Sequence, residues 1–154
     1  MVEKMDGQKP KPIKLGIVVC ANATQDLNCC SVVCLRDFDK RLGKFNDYPQ
    51  DTPLRLVGII SCAGCPTRAY PEKIIRRVDT LVQFGVKNIH FANCMVALCP
   101  FIKKYAETIK KKYPDVNLVE GSHETHISPE KFREDVACAF EKGKNMADII
   151  LNRL

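Results

Sequence analysis

Apolar residues along this chain fall into two alternating rhythms. Ile13-Lys14-Leu15-Gly16-Ile17-Val18-Val19-Cys20 is short and rich in β-branched residues, the signature of a strand buried in a parallel sheet. Leu54 to Cys62, Val86 to Cys94 and Val116 to Gly121 repeat that pattern. Between them the spacing becomes helical. Ile74, Val78, Leu81 and Val82 share one face of a helix with Pro71 near its first turn and Gly85 at its end. Ile102, Tyr105, Ala106, Ile109 and Tyr113 form the stripe of another, opened by Pro100 and stopped by Pro114. Val32, Val33, Leu35, Phe38 and Leu42 fit one face of a helix that Asp26 or Asn28 could cap. Ala21 to Leu27 reads as a polar loop, as does Lys44 to Pro53. Ser128-Pro129-Glu130 starts a helix faced by Phe132, Val136, Ala139 and Phe140, which Gly143 interrupts. Met146 to Leu154 makes a last helical segment, whose Ile149, Ile150 and Leu151 must pack on the body or on a second copy.

Strands alternating with helices specify an α/β fold, a single three-layer doubly wound domain with a four-stranded, mainly parallel sheet of flavodoxin or Rossmann type. Residues 1–12 are a flexible N-terminal tail and 13–154 the domain, with 127–154 as a C-terminal helical extension. The chain is long enough for one domain, and its 45% hydrophobic content can fill a core. No G-x-G-x-x-G follows the first strand and no P-loop motif occurs, so nucleotide binding has no motif support.

The net charge of +6 owes much to Lys103, Lys104, Lys110, Lys111 and Lys112. These occupy the wet face of one helix, and no aromatics interleave them as a base-stacking platform requires. Nucleic acid is not an expected partner. The first apolar run is broken by Lys14 and lacks a cleavage pattern, and no run approaches the roughly 20 residues of a membrane helix. The expectation is a cytoplasmic protein without a membrane partner.

Nine cysteines change the picture. In a reducing compartment they point to metal binding or redox chemistry rather than to a disulfide framework. Cys20 ends the first strand, Cys62 the second and Cys94 the third, and His123 follows the fourth. In an open parallel sheet the carboxyl ends of all strands lie along one edge, where sites form. Cys65 and Cys99 lie just beyond, each before a proline, and Cys29 and Cys34 open the helix after the first strand. Cys138 reads as a small buried hydrophobe, and Cys30 stays open between burial and function. His90 within a strand reads as a satisfied core histidine, and His126 as solvated.

At these residues the chain resembles the CGGC-domain family. The matching pieces are Gly16-Ile17-Val18-Val19-Cys20, Thr24-x-Asp26 leading to Cys29 and Cys34, and Val57 to Pro66 around Cys62-Ala63-Gly64-Cys65. Ile89 to Cys94, Cys99-Pro100 and Gly121-Ser122-His123 complete the set, which spans Ile13 to His123 and leaves Ile127 onward outside. The chain departs from the family at Ala63, where the family has its first glycine. A positive φ there would strain alanine, and the expectation is a turn that accommodates it. The resemblance implies metal binding, with zinc as the metal, and no reaction.

Three functions compete. A metal-binding protein would use Cys62, Cys65, Cys94 and Cys99 or His123, with Cys20, Cys29 and Cys34 as further candidates. Zinc wants four such ligands, and an open position would make the site catalytic. An iron–sulfur cluster is the alternative on the same thiols, although no ferredoxin spacing is present. A thiol-disulfide enzyme would use Cys62 to attack and Cys65 to resolve, with a redox partner protein. A sheet-edge module for a small ligand, with structural cysteines, is the third. The apolar C-terminus makes a homodimer an expectation.

Overall fold

The computed structural model describes residues 10–65 and 71–154; most of the expected tail, and Pro66 of the Cys-Pro step, lie outside them. Four strands, β1 (Ile13–Val19), β2 (Leu54–Ser61), β3 (Asn88–Phe91) and β4 (Asn117–Glu120), form one sheet in the order β2-β1-β3-β4. Every pairing is parallel. The strand order reverses direction between β1 and β3, which makes that crevice the switch point of the sheet.

Side-chain alternation along β1 splits the interior into two cores, one on each face. Leu15, Ile17 and Val19 pack with Phe45 and Ala92 against α1 (Val32–Asp39) and the 3₁₀ turn Gly43–Asp47. Val18 and Cys20 pack on the other face with Ile74, Val78 and Leu81 of α2 (Glu72–Gln83). Tyr105 and Ile109 of α4 (Ile102–Lys112) join the same cluster. This is the three-layer α/β architecture that the alternating pattern specifies. Close helix–sheet contact depends on Gly16, where a Cβ would stand 2.6 Å from Leu81 Cδ1. Helix α2 ends as its glycine predicts. The Gly85 N–H bonds to Val82 O and the Val86 N–H to Leu81 O, with Gly85 at φ +85°.

Other elements depart from the sequence expectation. The loop after β1 contains a π-helical turn, Asn22–Asp26, closed by Leu27 N–H to Asn22 O. Helix α1 starts at Val32, and neither Asp26 nor Asn28 caps it; Ser31 precedes it in a left-handed conformation. Its buried positions are Cys34 and Asp37, while Val32 and Leu35 are exposed. The helix is rotated relative to the apolar stripe because Asp37 has partners inside, described below. A short helix, α3 (Asn93–Leu98), follows β3 at once, so Cys94 stands in a helical first turn rather than on a strand.

The C-terminal residues fold back onto the strand-end side. In α5 (Pro129–Glu141) the Ser128 hydroxyl accepts the Lys131 N–H as an N-cap, and Val136 and Ala139 are buried. Phe140, expected on that buried face, is half exposed. Arg133 donates to Ala97 O at 2.9 Å, tying α5 to α3. In α6 (Met146–Ile150) the Met146 N–H bonds to Leu27 O, and Asn28 donates to Asn145 Oδ1 at 2.7 Å. Ile149 packs on the body, whereas Ile150 and Leu151 remain exposed. All five lysines of the expected wet face are exposed. No helix among the described residues is long and apolar enough to cross a membrane.

Candidate functional site

Strand register builds the site's first pair. Val19 of β1 lies opposite Ser61 of β2, and the Cys62 N–H bonds to Val19 O at 3.0 Å. Cys20 and Cys62 directly follow the last pair of that ladder, and both are buried. The two thiols act on each other strongly enough to move their titrations in opposite directions. Two interacting thiols cannot both ionise easily. Cys62 is the one held well below the ordinary thiol range. The neighbouring Cys20 thiol is the largest cause, and the N–H groups of Ala21 and Gly64 add to it. The Ala21 N–H lies 3.4 Å from Cys62 Sγ. Cys20 is pushed up correspondingly, first by Cys62 and then by burial.

On the other side of β1, the Cys20 N–H reaches Cys94 Sγ at 3.3 Å. Burial pushes the Cys94 thiol up to about 12. Burial is also the main reason that Cys29, Cys34 and Cys99 titrate above their ordinary range. Cys34 sits 3.5 Å from the buried Ser122 hydroxyl. Cys65 is exposed and takes the Asn22 amide N–H at 3.6 Å. Cys30 is exposed, and Cys138 is only partly buried.

The turn between Cys62 and Cys65 runs through two positive φ angles, +74° at Ala63 and +93° at Gly64. The alanine is therefore strained where glycine would not be, which corrects the expectation of a turn that accommodates it.

His123 stands apart from the Cys20–Cys62 pair. Its Nδ1 lies 2.8 Å from Glu124 O and 3.1 Å from the Asn93 amide. Asn93 also donates to His123 O at 2.8 Å and accepts the Ser122 N–H at 3.0 Å. Asp37, fully buried, accepts the Glu124 N–H at 2.9 Å and Arg36 Nε at 2.7 Å. Burial alone would raise its carboxyl, but Arg36 and the Glu124 N–H outweigh burial and hold it below the usual carboxylate range. Gly43 completes the support with φ +58°, its backbone against Ser122, His123 and Glu124. His90 is the satisfied core histidine that the sequence indicates, between Tyr48 Oη at 2.8 Å and Gly121 O at 2.8 Å. His126 is exposed, in agreement with its sequence reading.

Between the ends of β1, β3 and β4 opens a cavity of about 710 Å³, lined by Cys29, Cys34, Cys94, Asn93, His123 and Ile149 among others. The thiols thus divide. Cys20 and Cys62 share the cluster on the α2 face, and Cys62 and Cys65 lie near enough to Cys99 to push its titration up after burial. Cys29, Cys34 and Cys94 line the cavity with His123. Among the described residues no three Cys, His, Asp or Glu side chains are gathered to hold a metal ion. The donor chemistry nevertheless suits a thiophilic metal, because soft sulfur selects zinc, copper(I) or iron–sulfur clusters. Sequence reasoning passed over Asn93, Asp37 and Ser122. The available signals were a charged residue three positions after Cys34 on a helix and a polar residue between the Phe91-Ala92 run and Cys94.

The CGGC domain family matches residues 14–123. An uncharacterized protein of Methanocaldococcus jannaschii is 28% identical over 119 residues, 72% of this chain and 87% of that protein. No solved structure matches.

Proposed function

Starting from a chain that belongs to the CGGC domain family, we propose that it is a cysteine-rich metal-binding protein whose metal is zinc, held at the carboxyl ends of the strands. Cys20 and Cys62 supply the anchoring sulfurs, and Cys65, Cys94 and Cys99 are the thiols from which further ligands come. The observation that carries this reading is the Ala21 N–H aimed at Cys62 Sγ at 3.4 Å, beside two buried cysteines that follow the last β1–β2 register pair. A backbone N–H directed at sulfur favours thiolate, the form that binds metal. Binding needs thiolates, so it releases thiol protons and affinity rises with pH. Bound there, zinc would join the ends of neighbouring strands without changing its own oxidation state.

The test is elemental analysis of protein purified without oxygen, followed by zinc titration of the chelator-treated protein against a competing dye. The expected result is stoichiometric zinc, lost in Cys62→Ser and kept in Cys138→Ser. Unchanged zinc binding by Cys62→Ser would overturn the reading. Iron with sulfide and a visible chromophore would replace zinc by a cluster on the same thiols.

A further inference from the structure

The spacing Cys62-x-x-Cys65 invites those two thiols to be read as a redox pair. The geometry points elsewhere: we propose that the oxidisable pair is Cys20–Cys62, across two strands, and that Cys65 is not its resolving thiol.

The argument is one of register. Neighbouring strands run about 4.8 Å apart. Cys20 and Cys62 are the residues directly after the last register pair, Val19 opposite Ser61, and the Cys62 N–H bond to Val19 O holds the start of this step in place. A pair at strand spacing lies inside the roughly 4.4–6.8 Å Cα window that a disulfide bridges without moving the backbone. Both side chains join the same buried cluster, and Cys62 Sγ lies 3.4 Å from the N–H of Ala21, the residue next to Cys20. Cys65 is placed differently. It is exposed, its sulfur is engaged by Asn22 Nδ2 at 3.6 Å, and a turn with two positive φ angles separates it from Cys62. Cys94 meets Cys20 through the backbone N–H of Cys20 rather than through its thiol.

The oxidant is a small hydroperoxide, since Cys62 is only 5% exposed and a bulky disulfide would not reach it. Cys62 sulfur attacks one peroxide oxygen. The O–O bond breaks and the leaving oxygen departs as water, which leaves Cys62 as sulfenic acid. Cys20 sulfur then attacks the Cys62 sulfur, the S–O bond breaks, and a second water leaves with the Cys20 proton. Two thiols lose two electrons, and one hydroperoxide becomes two waters when the probe is hydrogen peroxide. The disulfide removes both anchoring sulfurs of the proposed metal site, but the inference rests on strand register and holds with or without a metal.

The experiment treats chelator-stripped full-length protein with hydrogen peroxide, alkylates the remaining thiols, digests the chain and maps the cross-links by mass spectrometry. The expected product is a Cys20–Cys62 linked peptide, lighter by two hydrogens than its reduced parts, with Cys65 alkylated. Cys65→Ser should leave that yield unchanged. Cys20→Ser should lose the cross-link and accumulate sulfenic and sulfinic acid on Cys62. A Cys62–Cys65 cross-link with Cys20 alkylated overturns the proposal, and so does oxidation of Cys62 in the wild type without any link to Cys20. The wild-type map needs no variant to fold. Metal content, measured before chelation on the same preparation, tests the zinc reading separately.

Discussion

Replacing Ala63 by glycine should stabilise this protein, although alanine-to-glycine changes ordinarily do the reverse. Ala63 sits at φ +74°, where the Cβ of an L-residue crowds its own backbone at a cost of about 1–2 kcal/mol. Glycine removes that crowding. Against it stands the extra freedom of the unfolded chain, about 0.4–1 kcal/mol. The difference is a net gain of about 0–1.5 kcal/mol, or a rise in Tm of roughly 0–6 °C at about 2–4 °C per kcal/mol for a chain of this size. Ala137, exposed within α5, provides the control. Glycine there should cost about 0.8–1 kcal/mol. Both variants are compared with the wild type by urea and thermal unfolding, reduced and free of metal, because a bound metal would add its own stabilisation. If Ala63→Gly loses as much stability as Ala137→Gly, residue 63 does not occupy the left-handed region and the strain argument fails. The same turn supplies the Gly64 N–H that helps hold Cys62 ionised. A gain in stability should thus come with a looser turn and a less reactive Cys62, measured as its alkylation rate.

Two further substitutions test the support beneath His123. Gly43→Ala would place a Cβ 2.5 Å from Glu124 N and His123 C, at positive φ, and should destabilise by about 2 kcal/mol or more in urea unfolding; a near-neutral result would show that the 122–124 loop yields easily. Asp37→Asn removes a buried carboxylate held by Arg36 and the Glu124 N–H, with an expected loss of about 1–3 kcal/mol at pH 7. Because folding lowers the Asp37 pKa, its contribution is complete above the unfolded value of about 4 and fades as pH falls through the lower folded one. The gap between wild type and variant, followed by urea midpoints from neutral pH downward, should close in that acidic range; a gap that widens there would refute the assignment.

The fold was legible because strong, local signals carried it. Gly85 ends α2, Pro100 and Pro114 bracket α4, and Ser128-Pro129 starts α5, each through geometry that a few residues specify. The less legible parts depend on partners distant in sequence. Asp37 faces inward because the Glu124 N–H and Arg36 wait for it, and that choice turns Val32 and Leu35 outward against the apolar pattern. Asn93 and Cys94 read as the end of a strand, yet the chain coils there at once because the Asn93 side chain is engaged by Ser122 and His123. For the candidate site, topology told which residues approach the same edge, but register decided which thiols are neighbours. The C-x-x-C spacing favoured Cys65 as the partner of Cys62, whereas the end of the β1–β2 register brings Cys20 beside it.

The central place of β1 also has a kinetic consequence. Cys20 gives its N–H to a sulfur 74 residues further on, and the neighbouring Ala21 N–H serves Cys62, 41 residues away. Long-range contacts of this kind form late and slowly. A growing chain therefore exposes Cys29, Cys30 and Cys34 close together well before β2 and β3 dock. In that interval local pairings such as Cys29 with Cys34, or Cys62 with Cys65, have the shortest loops to close. Pairing of β2 and β3 with β1 then sorts the thiols, so a chain oxidised before folding should be trapped by its nearest cysteines, while one folded first presents the cross-strand pair.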